Sequence, residues 1–424
     1  MSISPSLARH IIENLGTSGT PPARGVQHFN VGNRSLLDAL DEYYFSSYLQ
    51  NGGGAYKIVV GDYGSGKSHF LYCLQDLAWS QEFAVAKVDL SPVETPYNDQ
   101  RLVYAAVARN LIWHEKEQEI SDEKGLTRFL EGTLTRFVGH PVLETLTHPN
   151  YTGLVDTLEK AAIDSLAYKR AILGYFDALI RRHEARLDSI TRWLMGETTS
   201  PDDTKILRGL GVTEKITRPN AFRMLRSLVQ TIRELSYNGL VLLFDEVDRM
   251  ASIGGKAERL ATDNLREVID RTRDDLPGSM FVYAVPPQFI NETVPRYDAL
   301  RQRVQAFGPF SRTNSFSPQI NLERLDVDEN VLMLTIGEKL IPIFETAFNT
   351  DLDHQTQRAN AEILANAATD MFLDVSHRRL FVKSFVTALA QQNAGDEHTL
   401  GEAEANAIMR GQVAELSAGE TPPY

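Results

Sequence analysis

The feature that most constrains the fold is the segment Gly61-Asp62-Tyr63-Gly64-Ser65-Gly66-Lys67-Ser68, which matches the pattern G-x-x-x-x-G-K-[ST]. The apolar, β-favouring residues 56–60 precede it, and apolar residues at helical spacing follow it over residues 70–78. Glycines let successive backbone N–H groups curl around a phosphate, and the N-terminus of the following helix adds positive potential. The segment therefore predicts a strand, a phosphate-binding loop and a helix, and with them a site for a nucleoside triphosphate.

The side chains of this loop have distinct expected tasks. Lys67 would neutralise the β- and γ-phosphates, and Ser68 would ligate Mg²⁺. The alternative is a glycine-rich surface turn, which does not account for the strand and helix on either side. The residues predicted to contact the nucleotide are Gly61, Asp62, Tyr63, Gly64, Ser65, Gly66, Lys67, Ser68 and His69.

A second element lies far downstream, where the apolar run of residues 239–244 ends in Asp245 and Glu246. Such a run predicts a buried strand whose carboxyl end carries both acids to the edge of the sheet where ligands bind. We expect Asp245 to hold Mg²⁺ together with Ser68, and Glu246 to orient and deprotonate an attacking water molecule. A strand that ends in two acids also arises by chance, so this prediction depends on the loop upstream.

The remaining patterns predict an α/β core built on a parallel sheet. Further strands are predicted at residues 83–90, 280–285 and about 315–322, and helices at residues 102–113 and 260–273. Between residues 115 and 235 helical periodicity replaces the strand pattern, which predicts a helical insertion. Three helices after the core, beginning near Asp326 or Asp328 and covering about 361–373 and 378–391, predict a helical lid.

Charge and composition limit the partners. The formal net charge of −13 argues against coating of nucleic acid by bulk electrostatics, so a DNA contact would be local or delegated to a partner. The densest basic run is predicted either to contact nucleic acid or a partner, or to form a solvated helix face that is salt-bridged to Glu184 and Asp188. This run comprises Lys169, Arg170, Arg181, Arg182 and Arg186.

The compartment is predicted from three absences. The longest apolar runs are far below the roughly 20 residues of a membrane span, no secretory signal is visible at the N-terminus, and one cysteine excludes an intrachain disulfide. We therefore expect a cytoplasmic protein without a membrane partner. Residues 393–424 carry many acids and one arginine, which predicts a mobile acidic tail.

Several of these segments together resemble the ATP-binding proteins of BREX-type bacteriophage-exclusion systems, a P-loop family related to AAA+, origin-recognition and STAND ATPases. The resemblance implies an AAA+-like core and lid, ATP and Mg²⁺ as ligands, and a role in prokaryotic antiviral defence. It also implies self-association or a defence partner such as a helicase. The segments that carry it are Ala8-Arg9-His10-Ile11-Ile12, Val31-Gly32-Asn33-Arg34, the loop extended to His69-Phe70, Trp193-Leu-Met-Gly196, Asp245-Glu246 and His377-Arg378.

The resemblance also implies roles for residues outside the loop. Val31, Gly32 and Arg34 match a box that packs against adenine. Arg378, in preference to Arg379, matches a lid arginine that contacts the γ-phosphate. Arg301 or Arg303 matches an arginine finger that acts in a neighbouring subunit, with intrasubunit salt bridges as the alternative.

One strand end departs from the family pattern. AAA+ proteins usually place Asn or Thr at the end of the strand that covers residues 280–285, whereas this chain continues as Val285-Pro286-Pro287-Gln288. Either Gln288 substitutes for the missing group or hydrolysis is slow. The leading hypothesis is thus an ATPase that controls a DNA-processing partner, and the alternative is a nucleotide-gated switch with little hydrolysis.

These patterns divide the chain into six predicted parts. They are an N-terminal helical and adenine-box segment (1–50), the first part of the P-loop core (51–115), the helical insertion (116–235), the second part of the core with the acidic strand (236–322), the lid (323–392) and the acidic tail (393–424).

Overall fold

The computed structural model describes residues 3–113, 124–139, 143–324, 327–370 and 377–419. Its centre is a six-stranded sheet in the order β3-β2-β4-β5-β1-β6, in which only β3 pairs antiparallel to its neighbour. The mixed α/β class and the mostly parallel sheet are therefore confirmed. The strands are β1 (Gly54–Val60), β2 (Phe83–Asp89), β3 (Leu111–Ile112), β4 (Gly239–Asp245), β5 (Ser279–Val285) and β6 (Gln319–Asn321).

The register of the parallel strands aligns their carboxyl ends. Val60 pairs with Val285, and Asp89 pairs with Asp245. Strands β4 and β5 are buried along their whole length, as expected for strands covered on both faces by helices. The glycine-rich loop after β1 and the acids Asp245 and Glu246 at the end of β4 thus lie at one edge of one sheet, with β5 between the two strands.

Helices cover both faces of this sheet. Helices α2 (Arg34–Leu40) and α3 (Lys67–Ser80) pack on one face, with a π-helix, Asp41–Leu49, continuing α2. Helices α4 (Gln100–Arg109), α10 (Ala221–Glu234) and α11 (Gly255–Asp275) pack on the other. The short helix α12 (Asp298–Val304) contacts α11.

The segment between β3 and β4, predicted as a helical insertion, forms helices joined by turns in its described residues. Its core is continuous with the sheet face that α10 covers, because Leu130, Phe176 and Trp193 belong to the same buried cluster as Leu242 of β4. Its helices, besides α10, are α5 (Leu126–Val138), α6 (Pro149–Lys160), α7 (Leu166–Ile180), α8 (Glu184–Leu194) and α9 (Pro201–Gly209).

The helical segment after the sheet, predicted as a lid and called the lid below, contains more helices than predicted. The N-terminal helix α1 (Pro5–Ser18) packs against its first and third helices and shares their buried cluster. Asp328 caps the first lid helix by accepting from the N–H groups of Asn330 and Val331, as predicted; Asp326, the alternative cap, lies outside the described residues. The lid helices are α13 (Glu329–Phe348), α14 (His354–Asp370), α15 (His377–Ala394) and α16 (Glu402–Gly419).

The prediction of a mobile acidic tail was wrong for most of that segment. Helix α16 packs on α14 and α15, and Leu400, Ala405, Met409 and Leu416 are buried in the lid core. These apolar residues recur at helical spacing, while the acids lie on the exposed side. The acidic composition of the segment predicts a tail, whereas the spacing of its apolar residues predicts an amphipathic helix.

Two smaller predictions were also wrong. The helix expected at residues 102–113 ends at Arg109, and Leu111 and Ile112 form β3 against β2. The strand expected at residues 315–322 is limited to Gln319–Asn321, because Ser315 and Ser317 instead offer their carbonyl oxygens to side chains.

In the described part of the chain, none of the helices combines the length and hydropathy that a bilayer crossing requires.

Candidate functional site

The glycine-rich loop, residues 61–68, has the backbone that its sequence requires. Gly64 and Gly66 have φ of 71° and 95°, a left-handed conformation that strains other L-residues. An ideal Cβ at Gly61 would lie 2.3 Å from Ser65 Oγ, so a side chain there would force Ser65 to shift. The Gly61 N–H also donates to the Val285 carbonyl oxygen at 3.2 Å, which ties the loop to β5.

Lys67 closes over this loop. Its Nζ donates to the carbonyl oxygens of Gly61 and Asp62 at 2.8 and 2.9 Å. Burial lowers the pKa of Lys67, although the nearby carboxylates, Asp245 foremost, oppose this shift. An anion at the loop would give the ammonium a stronger partner than two carbonyl oxygens.

Ser68 and Asp245 are in direct contact. Ser68 Oγ, in the first turn of α3, donates to Asp245 Oδ2 at 2.8 Å, and Asp245 is 5% exposed. Mg²⁺ prefers oxygen ligands and usually takes one or two from protein, with phosphate oxygens and water completing its octahedron. Ser68 and Asp245 supply that donor set, so the residues fit the ion that the sequence predicted.

Lys87 is a residue of this cluster that the sequence analysis missed. Its Nζ lies 3.3 Å from Asp245 Oδ2 and 2.5 Å from Asp89 Oδ1. Burial disfavours its charged form, but Asp245, Tyr72 and Asp89 together raise the pKa of Lys87. The sequence does indicate it in one respect, because Lys87 stands two residues before the end of β2, the strand that flanks β4.

Glu246 occupies an unusual backbone position beside Asp245. Its φ is 57°, and its N–H donates to Asp245 Oδ1 at 3.1 Å. Burial raises the pKa of Glu246; Arg249, 3.1 Å away, opposes this, and the carboxylates of Asp245, Asp248 and Asp89 add to it. A left-handed glutamate costs roughly 1–2 kcal/mol, and strain of this kind clusters at functional sites.

A cleft of about 240 Å³ joins these groups to an apolar wall. The loop, Asp245 and Glu246 form its polar end, and Asn33 also borders it. Its apolar wall contains Leu15, Phe29, Val31, Leu332, Ile336 and Val382. The cleft therefore combines an apolar wall with polar groups, the two kinds of surface that the base and the phosphates of a nucleotide require.

The predicted adenine box is only partly at this cleft. Val31 borders it, whereas Gly32 and Arg34 are not among the described residues that line it. The Arg34 side chain is 90% exposed and lies 3.9 Å from Asp38 on its own helix. Gly32 has a φ of 81° and turns the chain into α2.

His69 connects this N-terminal segment to the loop. Its Nε2 lies 3.1 Å from Asn30 Oδ1, and its ring packs 5.1 Å from the Phe29 ring. Burial, and then the charges of Arg378 and Lys339, lower the pKa of His69 to about 4. A neutral ring that fixes Asn30 and Phe29 therefore borders the cleft.

Arg378 connects the lid to the loop. It donates from Nη1 to the Ser65 carbonyl oxygen at 2.6 Å and forms two 2.8 Å contacts with Glu329 of α13. Arg379, the less favoured candidate, donates instead to the Ser18 carbonyl oxygen at 3.0 Å. Both arginines border the cleft.

The other predicted arginines and Gln288 lie elsewhere. Arg303 pairs with Asp270 and donates to the Ala299 carbonyl oxygen. Arg301 pairs with Asp298 at 2.8 Å and is half exposed. None of Arg301, Arg303 and Gln288 is among the described residues that line the cleft, and Gln288 is exposed.

The basic run of the insertion makes many contacts within the chain. Arg181 and Arg186 both pair with Asp177, in place of the expected Glu184 and Asp188. Lys169 donates to the carbonyl oxygens of residues 159 and 161, and Arg170 to that of Gly211. These contacts favour the solvated helix face among the two interpretations.

A family model described as "BREX system ATP-binding protein BrxC/D" matches residues 3–403, nearly the whole chain. No curated protein and no solved structure gives a significant match. The match includes the glycine-rich loop, the acids after β4 and Arg378. The chain therefore belongs to the BrxC/D family of BREX system ATP-binding proteins.

Proposed function

We propose that this chain binds ATP with Mg²⁺ in the cleft and hydrolyses it through an AAA+-like, P-loop mechanism. The observation that carries the proposal is the contact of Ser68 with Asp245 beside the glycine-rich loop. These groups come from two elements that lie far apart in the sequence, the loop at residues 61–68 and the strand that ends at Asp245. The family name supports ATP as the nucleotide.

Each group has a chemical task in this proposal. The loop N–H groups and Lys67 would hold the triphosphate. Ser68 and Asp245 would hold Mg²⁺, which would supply positive charge at the phosphate oxygens. Glu246 accepts a proton from the water that attacks the γ-phosphorus, as the bond between that phosphorus and the leaving ADP oxygen breaks. Arg378 joins the lid to the loop, so lid position and nucleotide occupancy would be linked.

Membership of the family supports a role in BREX phage defence. In our proposal, closure or assembly on ATP controls a DNA-processing partner. Arg301 is the better candidate for an arginine finger in a neighbouring subunit. It is half exposed and pairs with Asp298 three residues away, whereas Arg303 is held by Asp270 of α11. A DNA contact through the basic run would have to compete with the pairs that Asp177 forms.

One observation favours the alternative, a nucleotide-gated switch with little hydrolysis. Strand β5 ends in Val285 and continues into Pro286 and Pro287, and the exposed Gln288 stands apart from the cleft lining described above. Without a polar group at that position, the attacking water has fewer partners to align it. Binding would then drive the conformational change while turnover stays slow.

ATP turnover by the pure protein, measured with and without DNA, separates the two. For an ATPase we expect Glu246→Gln to keep ATP affinity and to lower turnover by about 100-fold or more, the usual contribution of a general base. Equal turnover in wild type and Glu246→Gln, with binding intact, would favour the switch. Unchanged ATP affinity in Lys67→Ala would contradict the site itself.

A further inference from the structure

The ammonium group of Lys87 lies beside Asp245, one of the two predicted magnesium ligands. Its Nζ is 3.3 Å from Asp245 Oδ2, the same oxygen that accepts from Ser68 Oγ at 2.8 Å. The exposed fraction is 13% for the Lys87 side chain and 6% for that of Asp245. The side chains of Lys87 and Asp245 both leave adjacent strands toward α3, where Tyr72 lies beside the ammonium.

A buried carboxylate needs a compensating charge. Isolating an ionised carboxylate from water costs several kcal/mol, and this cost falls when a cation and hydrogen-bond donors surround it. Lys87 supplies the cation and Ser68 supplies a donor. Asp245, at the end of β4, therefore already has a cation and a hydrogen-bond donor beside its Oδ2 before a divalent ion arrives.

Lys87 also has a second partner. Asp89, two residues further along β2, lies 2.5 Å from its Nζ, and the Asp89 side chain is 69% exposed. The ammonium can move fully to Asp89 without losing its counter-charge. A divalent ion could then take the place of Lys87 at Asp245 Oδ2 at little electrostatic cost.

We propose that Lys87 is a positioning residue that acts as the resident cation of Asp245 and yields this carboxylate to the divalent ion that accompanies the nucleotide. This inference rests on the proposed function. Its consequence is that nucleotide binds even without magnesium, because Lys87 offsets the negative charge that would repel the phosphates. Magnesium then strengthens binding only moderately.

The test is the affinity for a fluorescent ATP analogue, measured with excess Mg²⁺ and with EDTA. The quantity compared is the dissociation constant in EDTA divided by the dissociation constant in Mg²⁺. In Lys87→Met we expect this ratio to rise about tenfold, because the uncompensated Asp245 repels the metal-free nucleotide and attracts the metal. Lys87→Arg should restore the wild-type ratio. The matched control is Lys383→Met, which removes a lysine of 6% side-chain exposure that pairs with Glu415 in the lid.

Asp89→Asn tests the same idea from an exposed position. It weakens the second partner of Lys87, so the ammonium stays on Asp245 and the ratio should fall below that of wild type. An unchanged ratio in both Lys87→Met and Asp89→Asn would overturn the inference. Lys87→Met would also overturn it by losing affinity equally in Mg²⁺ and in EDTA, because that result marks a purely structural salt bridge. Lys67→Ala distinguishes the proposed function: if it binds the analogue as wild type does, the site itself is wrong and the inference falls with it.

Discussion

Ser68 Oγ donates a 2.8 Å hydrogen bond to Asp245 Oδ2, although 177 positions separate the two residues in the chain. Ser68 lies in the first turn of α3, the helix after the glycine-rich loop. Asp245 ends β4, which is two places away in the sheet from β1, the strand before that loop. The whole insertion lies between them in sequence. The fold therefore joins two short polar segments into one candidate site at the carboxyl edge of a parallel sheet, where such sheets bind ligands.

Removing the lid arginine should weaken nucleotide binding. Arg378→Ala deletes the donor to the Ser65 carbonyl oxygen and the bidentate pair with Glu329. Hydrogen bonds from charged groups contribute about 1.5–3 kcal/mol, so we expect the affinity for ATP to fall about tenfold or more in calorimetric titration. The matched control is Arg358→Ala, which removes a lid arginine that is 65% exposed and pairs with Glu338. Equal effects of the two substitutions would contradict a specific role for Arg378.

His69 should make the folded chain sensitive to acid. Its pKa falls from 6.5 to about 4 on folding, because burial disfavours the charged ring and Arg378 and Lys339 repel it. Between these values the unfolded chain binds more protons, so stability is fully present above pH 6.5 and is lost as the pH falls toward 4. The contribution of one such group is at most about 1.4 kcal/mol per pH unit.

His69→Asn should therefore flatten the pH dependence of unfolding over this interval. Denaturant unfolding at a series of pH values between these limits measures it. His398→Asn is the control, because its neighbours Asp396 and Glu404 raise the pKa of that exposed ring and its effect on the slope has the opposite sign. If the free energy of unfolding of His69→Asn depends on pH as steeply as that of wild type, the His69 ring does not lose its proton on folding.

The helix that replaces the predicted tail should contribute to stability. Met409 of α16 is fully buried in the lid core, and truncating a buried methionine to alanine costs about 2–5 kcal/mol. Met409→Ala should lower the thermal midpoint clearly, whereas its exposed neighbour Arg410→Ala should not. If both variants have the same thermal midpoint as wild type, α16 is not packed in the lid core.

Local patterns were sufficient for much of the fold and part of the site. The loop of residues 61–68 and the acids Asp245 and Glu246 follow from backbone requirements and strand burial that act over a few residues, and the structure places them together. The first helix of the lid could also be predicted, because Asp328 caps it through local hydrogen bonds.

Relationships between distant segments could not be predicted in this way. Lys87 is an ordinary strand lysine until the pairing of β2 with β4 places it beside Asp245. Arg34 matched the family box by position, yet its helix turns it into solvent. The apolar side of α16 has meaning only once α14 and α15 provide a surface for it.

The most direct test of the shared site is a double-mutant cycle between Ser68 and Asp245, with the affinity for ATP and Mg²⁺ measured by calorimetry. We expect Ser68→Ala and Asp245→Asn each to weaken binding about tenfold or more. The double variant should lose at least about 1 kcal/mol less than the sum, because both residues act on one ion. Wild-type affinity in the single variants, or losses that simply add, would contradict the account.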